Sequence, residues 1–193
     1  MKKLEKYIHI LKDKNVLIFG LGLQGGGISA TRFFAKHAKN VRVTDLKTKQ
    51  QLKTSLDQLA DLDLSFSLGE HKNTDIDWAD VILVNQDIWN KAPNSPYIAY
   101  AKAKHKQLET QTGLFFELCH KPIIGITGTR GKTTTTLATG EMLKSAGYKV
   151  LVGGNIPNAA ILNQLETIDP YDYIVLELSN YQLRGLHLKQ LLL

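Results

Sequence analysis

The sequence predicts an α/β protein built from two parallel-sheet units in tandem, and three observations carry that expectation. Short continuous apolar runs recur along the 193 residues: Asn15–Gly20, Asp80–Asn85, Ile123–Thr127 and Tyr173–Leu178. Such runs mark strands buried on both faces. Stretches with helical periodicity separate them. Two of the runs break into glycine-rich turns that open a helix, Gly20-Leu-Gly22-Leu-Gln24-Gly25 and Gly128-Thr129-Arg130-Gly131-Lys132-Thr133.

In the first unit, Asn15–Gly20 is a strand and Ile28–Lys39 a helix with Ile28, Phe33, Phe34 and Ala38 apolar. Val41–Asp45 is the next strand. Leu52–Leu59 reads as helix, Leu64–Leu68 as a short alternating strand and Asp80–Asn85 as another buried strand. The segment from Asn85 to Ser95 reads as an irregular loop, Tyr97–Lys106 as helix and Leu114–Leu118 as a last turn before the join. The second unit starts near Lys121-Pro122. Ile123–Thr127 is its first strand, and Thr133–Gly147 its helix, with Gly147 as the stop signal. Lys149–Val152 is a strand, Ala159–Leu165 a short helix and Tyr173–Leu178 a third strand. Three strands fall short of the about five or six of a mean sheet, so the chain is expected to be part of a longer protein.

Composition narrows the function. A single cysteine, Cys119, excludes an internal disulfide or multi-cysteine metal site and suits a reducing cytoplasm. The N-terminus lacks a signal-peptide h-region, and no run approaches the roughly 18 apolar residues of a membrane span. The expectation is a cytoplasmic protein with no membrane partner. The formal charge is +6, but the lysines are dispersed and not interleaved with aromatics, which argues against a nucleic-acid surface. None of the six histidines stands at metal-ligand spacing from another, so each reads as a surface or helix-face residue.

The loop Gly128–Thr134 carries the clearest chemistry. Glycines let backbone N–H groups close around phosphate oxygens, and the helix N-terminus behind them adds donors and partial positive charge. Gly128, Thr129, Arg130, Gly131, Lys132, Thr133 and Thr134 are therefore candidate ATP-binding residues. Lys132 suits the outer phosphates, and the Thr133 hydroxyl suits Mg²⁺. Glu177 ends an apolar strand, where an acidic residue can hold Mg²⁺ opposite Thr133. In the first unit, Gly20-x-Gly22-x-x-Gly25 with Asp45 at the end of the next strand fits a dinucleotide site. A nicotinamide-binding oxidoreductase or sensor is therefore a rival reading, opposed by the second phosphate loop.

These residues together resemble the Mur ligases of peptidoglycan synthesis. The resemblance is carried by Gly20–Gly25 with Asp45, by Gly128–Thr134, by Gly153-Gly-Asn-Ile156, and by Leu176-Glu-Leu-Ser179 with Tyr181-Gln-Leu183. It implies an N-terminal Rossmann-like parallel-sheet domain that binds a UDP substrate, residues 1–120. It implies next the first part of a P-loop α/β ATP-binding domain, truncated at residues 121–193. Within the family the similarity is greatest to members that join D-glutamate to UDP-N-acetylmuramoyl-L-alanine through an acyl phosphate, with ATP and Mg²⁺. By position, Lys132 and Glu177 are the implied catalytic residues, and Thr133 and Glu177 the metal ligands. Leu23, Gln24, Asp45 and Leu46 lie at the uracil end, and Asn155 and Ser179 near the sugar and phosphates. The resemblance further implies a monomer when full length, and a chain that does not turn over alone.

The chain departs from the family pattern at Asn85-Gln86-Asp87, Pro157, Asn180 and Thr112-Gly113. Alternatives are another Mur-type or folylpolyglutamate-type ligase, or a remnant that binds without catalysis.

Overall fold

The computed structural model describes residues 2–23, 25–90, 95–156 and 160–186. Among these, the strands form two separate parallel sheets, one of five strands and one of three.

In the first sheet β1 (Asn15–Phe19) is central. It pairs with β2 (Asn40–Asp45) on one side and β4 (Val81–Val84) on the other. The edges are β3 (Ser65–Leu68) and β5 (Gln107–Glu109), giving the order β3-β2-β1-β4-β5. Strand pleating sends alternate side chains to opposite faces. Val16, Ile18, Val43 and Leu83 join one core, and Leu17, Phe19, Ile82 and Val84 the other. The first face is covered by α2 (Gly26–His37) and α7 (Gln111–Leu118), through Phe33, Phe34, Leu114 and Phe115. The second is covered by α4 (Asn73–Trp78) and α6 (Pro96–Ala103), through Ile76, Ile98 and Ala101. Full burial of each large side chain contributes about 1.5–3 kcal/mol. That burial on both faces is why these strands read as unbroken apolar runs.

The second sheet has the order β6-β8-β7, from β6 (Ile123–Ile126), β7 (Val150–Gly154) and β8 (Tyr173–Glu177). Helix α8 (Lys132–Ser145) connects β6 to β7, and a 3-10 helix (Leu162–Thr167) lies between β7 and β8. Gly147 ends α8 as expected: its N–H donates to Lys144 O and that of Tyr148 to Leu143 O, a Schellman motif.

The two sheets share one core. The cluster around Phe33 and Phe115 continues into Ile161, Leu162, Leu165, Ile174 and Leu176 of the second unit. The 3-10 helix packs on both α2 and α7. Lys36 Nζ and His37 Nε2 reach Glu166 at 2.7 and 3.4 Å across this seam. A short α9 (Asn180–Leu186) packs on α5 (Gln86–Asn90) and α7, and Arg184 Nη1 donates to Asn90 Oδ1 at 3.0 Å.

Two helices were not anticipated, and two expectations are corrected. The N-terminal segment is a helix, α1 (Lys2–Leu11), because Leu4, Tyr7 and Leu11 recur on one side and pack into the core. The start of the loop after Asn85 is α5, opened by Asn85 Oδ1, which accepts from the Asp87 N–H at 3.0 Å. Residues 73–78 form α4, which periodicity over so short a span did not reveal. His71 is a buried residue, stacked on Phe19 with ring centroids 4.0 Å apart. Further, α3 (Lys53–Asp57) is shorter than expected, and the helix expected at Ala159–Leu165 is the 3-10 turn three residues later, its start lying outside the described residues.

Candidate functional site

The carboxyl end of the second sheet gathers the loop residues Gly128–Thr134 with Asn155 and Glu177, all singled out in the sequence. Strand β8 is central, and its register sets Glu177 beside Ile126 of β6 and Gly154 of β7. From β6 the chain turns through Thr127–Gly131 into α8. Gly131 adopts φ 74°, a left-handed conformation that glycine reaches without a Cβ penalty, and so caps the helix directly behind the loop. Lys132 folds back over the loop, its Nζ donating to Gly128 O at 3.0 Å. Thr129, Arg130 and Thr134 are exposed around it.

The Thr133 hydroxyl donates to Glu177 Oε2 at 2.6 Å. Asn155 Nδ2 donates to the other oxygen, Oε1, at 3.3 Å. Glu177 is only 3% exposed, so these donors satisfy a carboxylate that water scarcely reaches. The turn bearing Asn155 is pressed against the same residue. Gly154 has φ 99°, and a Cβ there would stand 2.2 Å from Glu177 O, while the Asn155 N–H donates to that carbonyl at 2.9 Å. Only glycine fits both the backbone angle and the approach.

A threonine hydroxyl and a carboxylate are hard oxygen ligands. Among the described residues no group of three or more His, Cys, Asp or Glu side chains is arranged to hold a metal. The pair Thr133–Glu177 therefore fits a cation that takes its remaining ligands from phosphate oxygens and water, as Mg²⁺ does in nucleotide sites.

Ser179 stands at the start of α9. Its Oγ accepts from the Gln182 N–H at 3.2 Å, and Gln182 Oε1 accepts from the Ser179 N–H at 2.7 Å. This is a capping box on α9, and the spacing Ser-x-x-Gln was its available sequence signal.

At the carboxyl end of the first sheet, Leu23 and Leu46 are 56% and 61% exposed beside a buried Asp45. Asp45 Oδ2 accepts from the Gly22 N–H and Oδ1 from the Lys47 N–H, both at 2.9 Å. The carboxylate thus ties the glycine turn after β1 to the end of β2. Ser55 Oγ donates to Gly22 O at 2.9 Å, and Asn85 Nδ2 to Gly20 O at 3.2 Å, two braces the sequence did not signal. Gln24 lies outside the described residues. The sheet's connections reverse direction between β1 and β4, the point at which open α/β sheets bind ligands, and Asn85 at the end of β4 reaches the turn after β1 there.

Two parallel sheets, a glycine turn leading into a helix, and a hydroxyl–carboxylate pair beside it define an α/β protein with a turn of the phosphate-loop form. The family description "Mur ligase middle domain" matches residues 126–192. The chain is 43% identical over 176 residues to a UDP-N-acetylmuramoylalanine–D-glutamate ligase of Roseiflexus sp. (strain RS-1), covering 91% of this chain and 37% of that protein. The ligase of the same name from Borreliella afzelii (strain PKo) is 36% identical over 178 residues, 91% of this chain and 38% of the relative. The chain is thus similar in sequence to these D-glutamate ligases, and it spans a little over a third of their length. A solved pseudomurein peptide ligase type C from Methanothermus fervidus aligns with a TM-score of 0.43 at 25% identity, over 90% of this chain and 35% of that one.

Proposed function

We propose that the chain supplies the UDP-substrate and phosphate-loop parts of an ATP-dependent ligase that adds D-glutamate to UDP-N-acetylmuramoyl-L-alanine. The observation that carries this reading is the Thr133–Glu177 pair at the carboxyl end of β8, beside a glycine loop that runs into α8. The similarity to named D-glutamate ligases supplies the substrates. We divide the chain at residue 120 into the substrate unit and the start of the ATP unit. The setting is cytoplasmic, the partners are small molecules and not nucleic acid, and the full-length protein is a monomer. Among the described residues no helix is long and apolar enough to cross a membrane.

The residues have distinct tasks. Residues Gly128–Thr134 offer backbone N–H groups and a helix N-terminus to the phosphates. Lys132 Nζ, now on Gly128 O, moves to the outer phosphate oxygens. Thr133 and Glu177 hold Mg²⁺, which when bound would neutralise charge on the transferring phosphoryl group. That group passes to a carboxylate oxygen of the alanyl end, giving an acyl phosphate and ADP. The amine of D-glutamate attacks the acyl carbon, phosphate leaves, and the nitrogen loses a proton. Leu23 and Leu46 give the uracil an apolar surface, with Asp45 holding the turn between them. Gln24 is assigned to the same end, and Asn155 and Ser179 to the sugar and phosphate region.

Calorimetric titration of the chain with UDP-N-acetylmuramoyl-L-alanine, and separately with NADH, tests the reading. Saturable binding of the UDP compound without NADH binding is expected. Binding of NADH alone would make the first glycine turn a dinucleotide site and overturn the ligase reading.

A further inference from the structure

We infer that Asn155 is a positioning residue for the Glu177 carboxylate, and that it holds that group for Mg²⁺. The inference rests on the reading of Thr133 and Glu177 as the metal pair.

Three observations carry it. Asn155 is tied to residue 177 twice, through its N–H to Glu177 O at 2.9 Å and through Nδ2 to Glu177 Oε1 at 3.3 Å. Its neighbour Gly154 is packed so closely on that carbonyl that the turn cannot shift independently of β8. Thr133 and Asn155 donate to opposite oxygens of one carboxylate, which fixes its plane. The terminal torsion of a glutamate is otherwise broad.

The division of labour follows from the inventory of donors. The Thr133 hydroxyl has one proton. That proton now points to Glu177 Oε2, so a cation drawn to this pair has to share that carboxylate oxygen with the hydroxyl proton. The Asn155 amide has no such conflict, because it donates to the oxygen away from Thr133. It therefore remains the side-chain donor that holds the carboxylate when the cation arrives. Outer partners of this kind orient metal ligands, and their loss costs about 10–100-fold in metal affinity. The side chain is solvent-exposed, so its replacement leaves the core of the second sheet untouched.

The test compares the 193-residue chain with Asn155→Leu, Asn155→Ala and Glu177→Gln by calorimetric titration of ATP, once with Mg²⁺ and once in EDTA. The chain is expected to bind ATP more tightly with Mg²⁺. Both Asn155 variants are expected to keep the affinity in EDTA and to lose about tenfold or more of the Mg²⁺-dependent gain. If Glu177→Gln loses the Mg²⁺-dependent gain while the Asn155 variants keep it, the metal pair stands and the positioning role falls. Equal losses in Mg²⁺ and EDTA would overturn it in favour of a general role in the turn. Absence of any Mg²⁺-dependent gain in the unaltered chain would remove the metal pair and this inference together.

Discussion

Thr133 and Glu177 lie 44 residues apart in sequence, yet the hydroxyl of one donates to the carboxylate of the other at 2.6 Å. Parallel pairing of β6 with β8 makes this contact. It brings the end of β8 level with Ile126, and the loop leaving β6 returns to its own sheet as α8. Thr133→Ala would leave Oε2 of a buried carboxylate without that donor, which costs about 1–3 kcal/mol. A lower midpoint in thermal or urea unfolding is expected, together with loss of Mg²⁺-dependent ATP binding. Unchanged ATP binding in Mg²⁺ would mean that the threonine serves only the fold.

Lys132 makes its recorded bond to a carbonyl of its own loop, and it is partly exposed. Lys132→Ala should therefore leave stability within about 0.5 kcal/mol, as surface changes usually do, and abolish ATP binding. Binding of UDP-N-acetylmuramoyl-L-alanine should survive. Equal loss of both ligands in parallel titrations would show that the two glycine turns do not serve separate sites.

Gly154→Ala is the most severe small change on offer. The backbone conformation alone costs about 1–3 kcal/mol for a residue with a Cβ. The new Cβ would also meet Glu177 O at 2.2 Å. A large fall in unfolding midpoint is expected, whereas Gly69→Ala shares a positive φ but meets nothing within 4 Å and should cost less. Equal melting of the two variants would show that the approach of the turn to β8 does not matter.

Asp45→Ala removes the acceptor of two backbone N–H groups, those of Gly22 and Lys47. Each lost bond to the charged carboxylate costs about 1.5–3 kcal/mol. The chain should lose stability and, because the turn between Leu23 and Leu46 is freed, affinity for the UDP compound. ATP affinity, measured on the same sample, should hold.

His71 makes stability fall on the acid side of neutrality. Burial lowers its pKa from 6.5, outweighing the opposite pull of Asp45 and Asp75. The ring is stacked on Phe19, with Nδ1 2.9 Å from Thr44 Oγ1. As pH drops below about 6.5 the unfolded chain takes up a proton that the folded chain refuses, so stability declines until the lower folded value is passed. Urea midpoints across pH 7.5 to 5 should show this slope, and His71→Phe should flatten it. An identical slope in the variant would trace the effect to other groups.

Much of this molecule was legible in one dimension. The apolar runs at Val16–Phe19, Val81–Val84 and Ile174–Leu176 marked the three central strands, because strands buried on both faces admit no polar alternation. Gly131, Lys132 and Gly147 marked the start and stop of α8, since local backbone chemistry decides helix ends. The polar strand Gln107–Glu109 was not legible, because its pairing with β4 is a property of the sheet and its three residues carry no period. Helices α4 and α5 span six and five residues, too few turns for an apolar stripe to emerge.

The sequence by itself determined the α/β class, the two glycine turns and the residue types available for phosphate and cation chemistry, because each depends on contacts within one or two turns of chain. Only the tertiary structure decided what those residues touch. It set Glu177 between Thr133 and Asn155, gave Ser179 to the cap of α9, and made Asp45 a brace for the Gly22 turn. It also placed α2 and α7 in a core shared by both sheets. These outcomes depend on strand order and register. Long-range burial of apolar surface selects those, and no local pattern records them.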